Sequence, residues 1–454
     1  MLVRFVVSNF LSFRKDVEFN MLTDNQKWHP EHIYTFKNFE ILKTAALYGA
    51  NGAGKSNLIK AISFLKKLVT RGDWNPVIDV KPFRLDPACE TLPSSFEIEF
   101  VKNSRSYIYG LSLLNHSITD EWLFESEVGK ADKKLFTRKT VDGKTKIDLS
   151  FKYIKNEQDK IRIELYQNEF LKDYTPFLKL ISESKESFEE IKAAHDWFKE
   201  NLVIIFPRTR PSGLAERLNR SNDFKKFADN LICSFHTGIS KIEVNQYDID
   251  QFFGKDDKEV ADQIKKELKI EKQIVPLRSP GTREELIAVL EGGKPVIKRV
   301  ISKHANKEGK LFDFLIDEES DGTVRLFDLI PAIYSAIGGE NSVIIDEIDQ
   351  SIHPALLKEL IKKFSSDNDT KGQLIFTTHE SNLLDQEIFR RDEIWFVEKD
   401  KNGETTLYPL SDYDVRADLD IRKGYLLGRF GAIPFLANLH DLKWDKYVEA
   451  DPRV

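Results

Sequence analysis

The chain has 454 residues, of which 41% are hydrophobic and 32 are phenylalanine, so it can bury a sizeable core in about three domains or in one split domain. Its formal net charge of −6 excludes a general attraction to nucleic acid or anionic membranes, and any DNA contact would need a local basic patch. Two distant cysteines argue against a disulfide framework or a zinc site, and the absence of a signal-peptide pattern or an apolar run of ~18 residues predicts a cytoplasmic protein.

The first part of the chain predicts two strands, then a buried strand and a helix. Residues 3–7 and 17–21 have the apolar content of strands, and residues 41–48 form an apolar run short enough for a buried strand. In residues 57–70, apolar side chains recur at helical spacing. The buried strand, a loop and the helix therefore follow one another in the order that a phosphate-binding unit requires.

The loop between that strand and helix spells the phosphate-binding motif G-x-x-x-x-G-K-[ST]. Its glycines let backbone N–H groups turn toward phosphates at the positive end of the helix, where Lys55 should reach the β- and γ-phosphates and Ser56 should ligate Mg²⁺. ATP and Mg²⁺ are the predicted cofactors, and the alternative is a glycine-rich turn that binds nothing. The residues expected to bind the nucleotide here are Gly49, Asn51, Gly52, Ala53, Gly54, Lys55, Ser56 and Asn57.

The remaining elements predict an α/β head split by an insertion. Partial alternation of apolar and polar residues predicts antiparallel strands over residues 95–101, 106–114, 118–128 and 146–151. Apolar residues at helical spacing predict helices over residues 187–202, 214–235 and 257–268. Ser187 and Glu190 form a capping box at the start of the first of these helices. Strands return at 295–300 and 311–316, and the helix–strand alternation over 323–337, 342–345, 354–364 and 373–377 is typical of a parallel sheet. The predicted domains are 1–152 and 274–454, as two halves of the head, and 153–273, as a mainly helical insertion for assembly or partner binding.

The apolar strand at residues 342–345 ends in two acids, Asp346 and Glu347, as a Walker B element does. Asp346 is expected to hold Mg²⁺, and Glu347 to orient and deprotonate the attacking water as the general base. A second apolar strand, at residues 373–377, is followed by His379.

Several motifs resemble ABC-type ATPases whose heads are split by a long insertion, namely the SMC, RecF and OLD branch. They are residues 9–13, 82–85, 320–323, 346–349 with 352–354, 377–379, 391–395 and 425–434. Together they are similar to the AAA15, OLD-like ATPases of bacterial anti-phage systems. Within that group the chain most resembles the ATPases of PARIS systems, with AbiL-type and Septu ATPases as relatives.

The resemblance implies further site residues. His379 would act as the switch histidine that senses the γ-phosphate, and Lys55 and Glu347 would complete the catalytic set. Ser320 and Gly322 would form a signature motif that reaches the γ-phosphate bound by a second subunit, although the second glycine and the glutamine of L-S-G-G-Q are missing. The alternative for Ser320 is an ordinary helix N-cap.

The resemblance also implies partners. These ATPases form ATP-sandwich dimers or larger homo-oligomers and hold a separate toxic effector, often a TOPRIM-type nuclease, which is released when a phage protein triggers the system. The short segment after His379 leaves no room for a nuclease domain, so we expect another chain to supply it.

Two other functions are consistent with the sequence. One is a RecF-like repair ATPase that binds DNA directly through basic residues between positions 133 and 162, although acidic residues interleave with them. The other is a scaffold that does not hydrolyse ATP and uses it only to lock an assembly. Apolar faces on the insertion helices are candidates for assembly, although core packing is the commoner reason for such faces.

Overall fold

The computed structural model describes residues 1–36, 39–71, 80–154, 156–184, 188–210, 213–270, 274–277, 286–414, 416 and 419–433. Within these ranges, no helix has the length and apolarity that a bilayer-spanning segment requires. Ser187, the predicted helix cap, and Pro434, the end of the 425–434 motif, lie outside the described residues.

The strands of the described residues are numbered in chain order. They are β1 Leu2–Ser8, β2 Val17–Asn20, β3 Ile33–Phe36, β4 Phe39–Leu42, β5 Thr44–Tyr48, β6 Ser94–Lys102, β7 Arg105–Leu114, β8 Ser117–Ser126, β9 Lys133–Val141, β10 Lys144–Leu149, β11 Leu202–Ile205, β12 Ile239–Asp248, β13 Ile274–Leu277, β14 Leu286–Glu291, β15 Lys294–Ala305, β16 Leu311–Leu315, β17 Ser342–Ile345, β18 Gln373–Thr377, β19 Ile394–Lys399 and β20 Thr405–Pro409.

The α-helices are numbered in the same way. They are α1 Lys55–Thr70, α2 Glu157–Leu165, α3 Phe177–Ser182, α4 Glu189–Asp196, α5 Leu214–Arg220, α6 Asn222–Ser234, α7 Ile249–Phe253, α8 Lys258–Ile270, α9 Asp321–Gly338, α10 Pro354–Ser366 and α11 Ile421–Leu426. Two π-helical turns, Tyr166–Phe170 and Trp197–Asn201, continue α2 and α4.

The central sheet has the strand order β11-β17-β18-β5-β19-β20 among the described residues. All neighbours are parallel except β20, which is antiparallel to β19. Strands β5, β17 and β18 are buried along their whole length, as expected for a parallel sheet covered on both faces. Because β5 lies between β18 and β19, the two halves of the head share one sheet. The predicted α/β split head with flanking antiparallel strands is confirmed.

A second sheet is antiparallel and has the order β10-β9-β8-β7-β6-β1-β2 in the described part of the chain. The predicted antiparallel strands are confirmed, but they form a separate layer rather than an extension of the phosphate-loop strand. Gln373 joins the two layers at the start of β18. Its side-chain nitrogen donates to the carbonyls of Leu2 and Leu42, and its oxygen accepts from Leu2 N at 2.6 Å.

Residues 153–273 are mainly helical where described, but two strands tie them to the head. Strand β11 pairs in parallel with β17 in the central sheet, and β12 pairs with β15, which lies beyond the predicted boundary at residue 273. The helix predicted over 214–235 is broken at Ser221, which caps α6 by accepting a hydrogen bond from Phe224 N. The division of the chain into three domains stays a prediction.

Helix α9 carries the chain from the predicted signature motif to β17. It contains Pro331 in its interior, and most of its residues between Thr323 and Ala336 are buried. A helix buried on most sides holds its position through packing, and this compensates for the hydrogen bond that Pro331 cannot make. The predicted order of helix, strand, helix and strand over α9, β17, α10 and β18 is confirmed.

Candidate functional site

The phosphate-binding loop connects β5 to α1, as the motif predicted. Lys55 starts the helix with a side chain that is only 5% exposed, and its ammonium group donates to the carbonyls of Gly49 at 2.7 Å and Ala50 at 3.2 Å. Burial lowers the pKa of Lys55 to about 8, although Asp346 opposes this shift. The amine is therefore held inside the loop, where a phosphate group would restore its preference for the charged form.

Two of the loop glycines lie where a side chain would collide with β19 or β20. A Cβ atom on Gly49 would overlap the carbonyl oxygen of Val397, and one on Gly54 would overlap the side chain of Thr405. Gly54 also has φ of +120°, which L-residues rarely adopt. The glycines thus allow close approach of the loop to strands β19 and β20.

Ser56 and Asp346, the two predicted magnesium ligands, are in direct contact. The Ser56 hydroxyl donates to Asp346 Oδ1 at 3.0 Å, and the Thr377 hydroxyl donates to the same oxygen at 2.7 Å. Thr377 Oγ1 also accepts from the backbone N–H of Glu347 at 2.7 Å. A hydroxyl and a carboxylate in contact are the oxygen ligands that Mg²⁺ prefers, so these residues fit the ion.

Glu347, the predicted base, follows Asp346 in the left-handed region with φ of 53°. Non-glycine residues in that region are uncommon and are enriched at functional sites. The fixed contact between Glu347 N and Thr377 holds the backbone in this conformation. The carboxylate of Glu347 is close enough to Lys55 to favour the charged form of the amine.

His379 follows β18 and is more exposed than the two acids. Its backbone N–H donates to Asp349 Oδ2 at 3.3 Å, which fixes the turn after the strand. Desolvation, followed by the charge of Lys55, lowers the pKa of His379, while Asp349 and Glu347 act in the opposite direction. The imidazole therefore lies within the electrostatic field of the phosphate-binding loop.

The other predicted nucleotide-binding residues of the loop differ in position. Asn51 and Gly52 are exposed at the tip, whereas Ala53 is buried. The side chain of Asn57 donates to Ser12 Oγ at 2.8 Å, so its amide supports the loop from behind.

Thr405 and Ser12 support the phosphate-binding loop, and the sequence did not assign either residue a role at the site. The Thr405 hydroxyl donates to the Ala53 carbonyl at 2.7 Å and lies 2.8 Å from Ser12 Oγ, from which it can accept. Thr405 N donates to Ser12 O at 2.8 Å. Ser12 lies in the 9–13 motif, but neither that motif nor any pattern around Thr405 could place the two residues against the loop.

Ser320 and Gly322 lie at the start of α9. Ser320 is its N-cap and accepts from Thr323 N at 3.2 Å, as the alternative interpretation predicted. A Cβ atom on Gly322 would lie 2.5 Å from the carbonyl oxygen of Ser351, so this glycine packs directly on the loop that follows the Walker B acids. The helix N-terminus and that loop therefore form one continuous surface.

Arg325 is a further residue that the sequence did not indicate. It is 4% exposed and donates over 3.5 Å to the backbone carbonyls of Asp346 and Pro207. Desolvation lowers its pKa, and Asp328, Glu347 and Asp346 oppose this shift. A buried positive charge on α9 thus balances the acids at the end of β17.

The glycine and aromatic motif at residues 425–434 packs beneath this site. Tyr425 and Phe430 stack on Phe396 of β19 with ring centroids 5.6 Å apart, and Tyr425 contacts Tyr48 at the end of β5. The described part of the motif therefore supports β5, from which the phosphate-binding loop projects, and its neighbour β19.

Many solved structures are similar to the chain, and three SMC heads are among them. An SMC head domain from Thermotoga maritima has 14% identity and a TM-score of 0.35, with 90% of this chain and 98% of that chain covered. An SMC head bound to the C-terminal winged-helix domain of ScpA has 13% identity and a TM-score of 0.38, with 90% and 97% covered. An Smc head with an extended coiled coil, bound to the C-terminal domain of ScpA derived from Pyrococcus furiosus, has 12% identity and a TM-score of 0.38, with 94% and 98% covered.

No curated protein matches the chain. One family model matches residues 45–385, a range that begins in β5 and includes the phosphate-binding loop, the acids after β17 and His379. Its description is "AAA domain, putative AbiEii toxin, Type IV TA system". Since the match spans well over half of the sequence, the chain belongs to this family of AAA-domain ATPases.

Proposed function

We propose that the protein binds ATP with Mg²⁺ and hydrolyses it. The observation that carries this proposal is the hydrogen-bonded chain from Ser56 through Asp346 and Thr377 to the backbone of Glu347. It joins the phosphate-binding loop to the two acids that hydrolysis requires. A structural P-loop would need the loop and its helix but would not need this connection.

Each residue then has a defined role in the reaction. Ser56 and Asp346 would hold Mg²⁺, which neutralises charge on the phosphates when bound. Lys55 leaves the carbonyls of Gly49 and Ala50 to bind the β- and γ-phosphates. Glu347 orients a water molecule in line with the γ-phosphate and accepts its proton, and His379 contacts the γ-phosphate from the end of β18.

We further propose that two copies of the chain sandwich ATP. Ser320 and Gly322 lie at the N-terminus of α9, an 18-residue helix whose N-terminal N–H groups and dipole suit an anion. The γ-phosphate held by a second copy would meet this end of the helix. Ser351 would lie at the same interface because it packs on Gly322.

The biological role that fits best is a sensor and scaffold in anti-phage defence. The family description names a toxin of a type IV toxin–antitoxin system, which supports a role in conditional growth arrest. The motifs that resemble defence ATPases support a scaffold that holds a nuclease supplied by another chain and releases it when a phage protein is sensed. ATP binding would close the assembly, and hydrolysis would open it.

The test compares the wild type with Glu347→Gln, using Glu359→Gln on the exposed face of α10 as the matched control. We expect Glu347→Gln to lose hydrolysis by ~100-fold or more while it retains ATP binding, since general bases contribute about that much. Native mass should show an ATP-dependent dimer or larger oligomer, most persistent in Glu347→Gln. Equal hydrolysis by Glu347→Gln and Glu359→Gln would refute the catalytic assignment.

The scaffold role needs a second measurement. The chain is purified together with the product of its neighbouring gene, with and without ATP and Mg²⁺. Retention of that product, changed by nucleotide or by Glu347→Gln, supports the scaffold. A chain that ignores its neighbour but binds DNA in a salt-dependent manner would favour the repair ATPase instead.

A further inference from the structure

Three ligand-type side chains converge in the segment between β2 and β3. Within the part of the chain that the structure describes, His29, Glu31 and His32 are the one group of three whose possible ligand atoms all lie within 4.8 Å of one another. His29 adopts the left-handed conformation, and a 3₁₀ turn from Pro30 to His32 brings the second imidazole back beside the first. The two rings stack with centroids 4.6 Å apart.

The hydrogen bonds of the two imidazoles define which nitrogen carries a proton. His29 Nε2 lies 2.8 Å from the carbonyl oxygen of Gln386, and His32 Nδ1 lies 2.9 Å from Glu393 Oε2. A carbonyl and a carboxylate can only accept, so both of these nitrogens are donors. In the neutral rings, the lone pairs are therefore on His29 Nδ1 and His32 Nε2.

Both lone pairs face the same carboxylate oxygen. Glu31 Oε1 is 3.0 Å from His29 Nδ1 and 3.8 Å from His32 Nε2. Acceptors that face one another repel unless a proton or a cation lies between them. A proton on His29 would satisfy only the shorter contact, whereas one metal ion would satisfy all three atoms.

The distances and the surroundings suit a transition metal. Ligand atoms about 2.0–2.1 Å from a tetrahedral zinc ion are separated from one another by about 3.3 Å. The observed distances from Glu31 Oε1 to the two imidazole nitrogens, 3.0 and 3.8 Å, lie on either side of this value. The Gln386 carbonyl and the Glu393 carboxylate accept from the far side of each ring, as outer partners of metal-bound histidines commonly do. Glu393 itself is fully buried and also accepts from Arg390 N at 2.8 Å.

We propose that His29, Glu31 and His32 bind a zinc-class divalent ion, with water as the fourth ligand. Imidazole nitrogens favour Zn²⁺, Ni²⁺ or Cu²⁺ over Mg²⁺, so this site is distinct from the one at Ser56 and Asp346. The side chain of His29 is 23% exposed and that of Glu31 is 32% exposed, which leaves access for the ion and the water. This proposal departs from the expectation of no zinc site, which considered only cysteines.

The ion would connect segments that are distant in sequence. The ligands precede β3, whereas Gln386 and Glu393 lie in the segment between β18 and β19. Arg390 already joins these segments by donating to the Trp28 carbonyl at 2.5 Å. A bound ion would add a second connection and raise the stability of this corner of the head.

The experiment titrates the full-length, metal-stripped protein with ZnCl₂ in excess Mg²⁺ and follows both heat and melting temperature. The variants are His29→Asn and Glu31→Gln, with His116→Asn as the matched control. His29 and His116 are both outside helices and strands and in the left-handed region, which asparagine tolerates. We expect one Zn²⁺ per chain, affinity at least ~10-fold weaker in both variants, and little change in the control.

Substitution with Co²⁺ identifies the ligands. Absorption bands of tetrahedral Co²⁺ without a thiolate charge-transfer band are the expected result, and their loss in His29→Asn supports the site. A thiolate band would place the ion at the exposed Cys233 and overturn the proposal. Absence of Zn²⁺ binding, or equal affinity in His29→Asn and His116→Asn, would also overturn it.

Discussion

The Ser56 hydroxyl donates a 3.0 Å hydrogen bond to Asp346 Oδ1 across a sequence separation of 290 residues. This contact is the point at which the two halves of the split head form one site. It places the end of β17 against the start of α1. The chain between these two elements leaves the central sheet and returns to it at β11. The consequences can be measured at the residues that surround this contact.

Thr377 is predicted to position both acids. Thr377→Val keeps the shape of the side chain but removes the hydrogen bonds to Asp346 Oδ1 and Glu347 N. Losing a hydrogen bond to a charged group costs about 1.5–3 kcal/mol, so kcat should fall by ~10- to 100-fold. The affinity for ATP should change much less, and Thr377→Ser should restore most of kcat. Equal losses in the Val and Ser variants would contradict a role for the hydroxyl.

Lys55 is predicted to take up a proton when ATP binds. Burial lowers its pKa from 10.5 to about 8, so between these values the unfolded chain holds more protons than the folded, nucleotide-free protein. Charged Lys55 therefore lowers the free energy of unfolding by its full amount below pH 8. This destabilisation decreases as the pH rises toward 10.5. Phosphates reverse the shift, so binding above pH 8 should draw protons from the buffer.

Calorimetry of ATP binding in two buffers of different ionisation enthalpy measures this uptake. It should disappear in Lys55→Met and persist in Lys66→Met. Lys66 is a fair control because burial also lowers its pKa to about 8, but its ammonium group donates to the Leu202 carbonyl instead of facing the loop. Uptake that survives in Lys55→Met would refute the assignment.

Gly322 is predicted to control assembly of the composite site. In Gly322→Ala the new methyl group would lie 2.5 Å from the Ser351 carbonyl and push the start of α9 away from the loop after Glu347. Overpacking costs about 1–3 kcal/mol. If this cost reduces the free energy of dimerisation, the dimer is ~10- to 100-fold weaker. ATP binding by a single chain should be retained.

The control for this prediction lies at the other end of the same helix. A Cβ atom on Gly338 would have no neighbour within 4 Å, so Gly338→Ala should leave the dimer unchanged. Sedimentation of each variant in a Glu347→Gln background with ATP measures the association. Similar association of Gly322→Ala and Gly338→Ala would show that α9 does not reach the second copy.

Thr405 is predicted to stabilise the phosphate-binding loop from β20. Thr405→Val preserves shape but leaves the Ala53 carbonyl and Ser12 hydroxyl without their partner, at a cost of about 1–3 kcal/mol. Both the melting temperature and the affinity for ATP should fall. Thr406→Val, at the neighbouring exposed position of the same strand, should change neither. A stable Thr405→Val with normal ATP affinity would contradict this role.

The parts of the fold that could be predicted are those with a strong local pattern. Strands β17 and β18 match the predicted residues because each is a short apolar run buried on both faces. Strand β9 was missed because it carries Lys133, Lys134, Lys139 and a buried Arg138, whose guanidinium group donates to the Thr175 carbonyl at 2.7 Å. In the sequence, a buried charged residue whose partner is a distant carbonyl cannot be distinguished from a charged residue on the surface.

The residues of the candidate site also divide into those that a local sequence pattern identifies and those that it does not. The positions of Lys55, Ser56, Asp346 and Glu347 follow from motifs whose chemistry fixes their order. The supports of the site, Thr405, Ser12 and Arg325, make contacts that depend on how distant segments pack, and no spacing rule relates them. Asn57 directly follows the motif and its side chain donates to Ser12, so its contact with the nucleotide stays a prediction.

Strand β11 gives the insertion a mechanical connection to the chemistry. It lies at the edge of the central sheet beside β17, and the carbonyl of Ile205 at its end accepts from Asp346 N at 2.8 Å. A displacement of β11 along its axis would therefore reach the backbone of Asp346, which would hold the metal ion, through the parallel pairing with β17 and this terminal hydrogen bond. Excising residues 153–273 as a module would therefore remove a strand from the sheet that carries the nucleotide site.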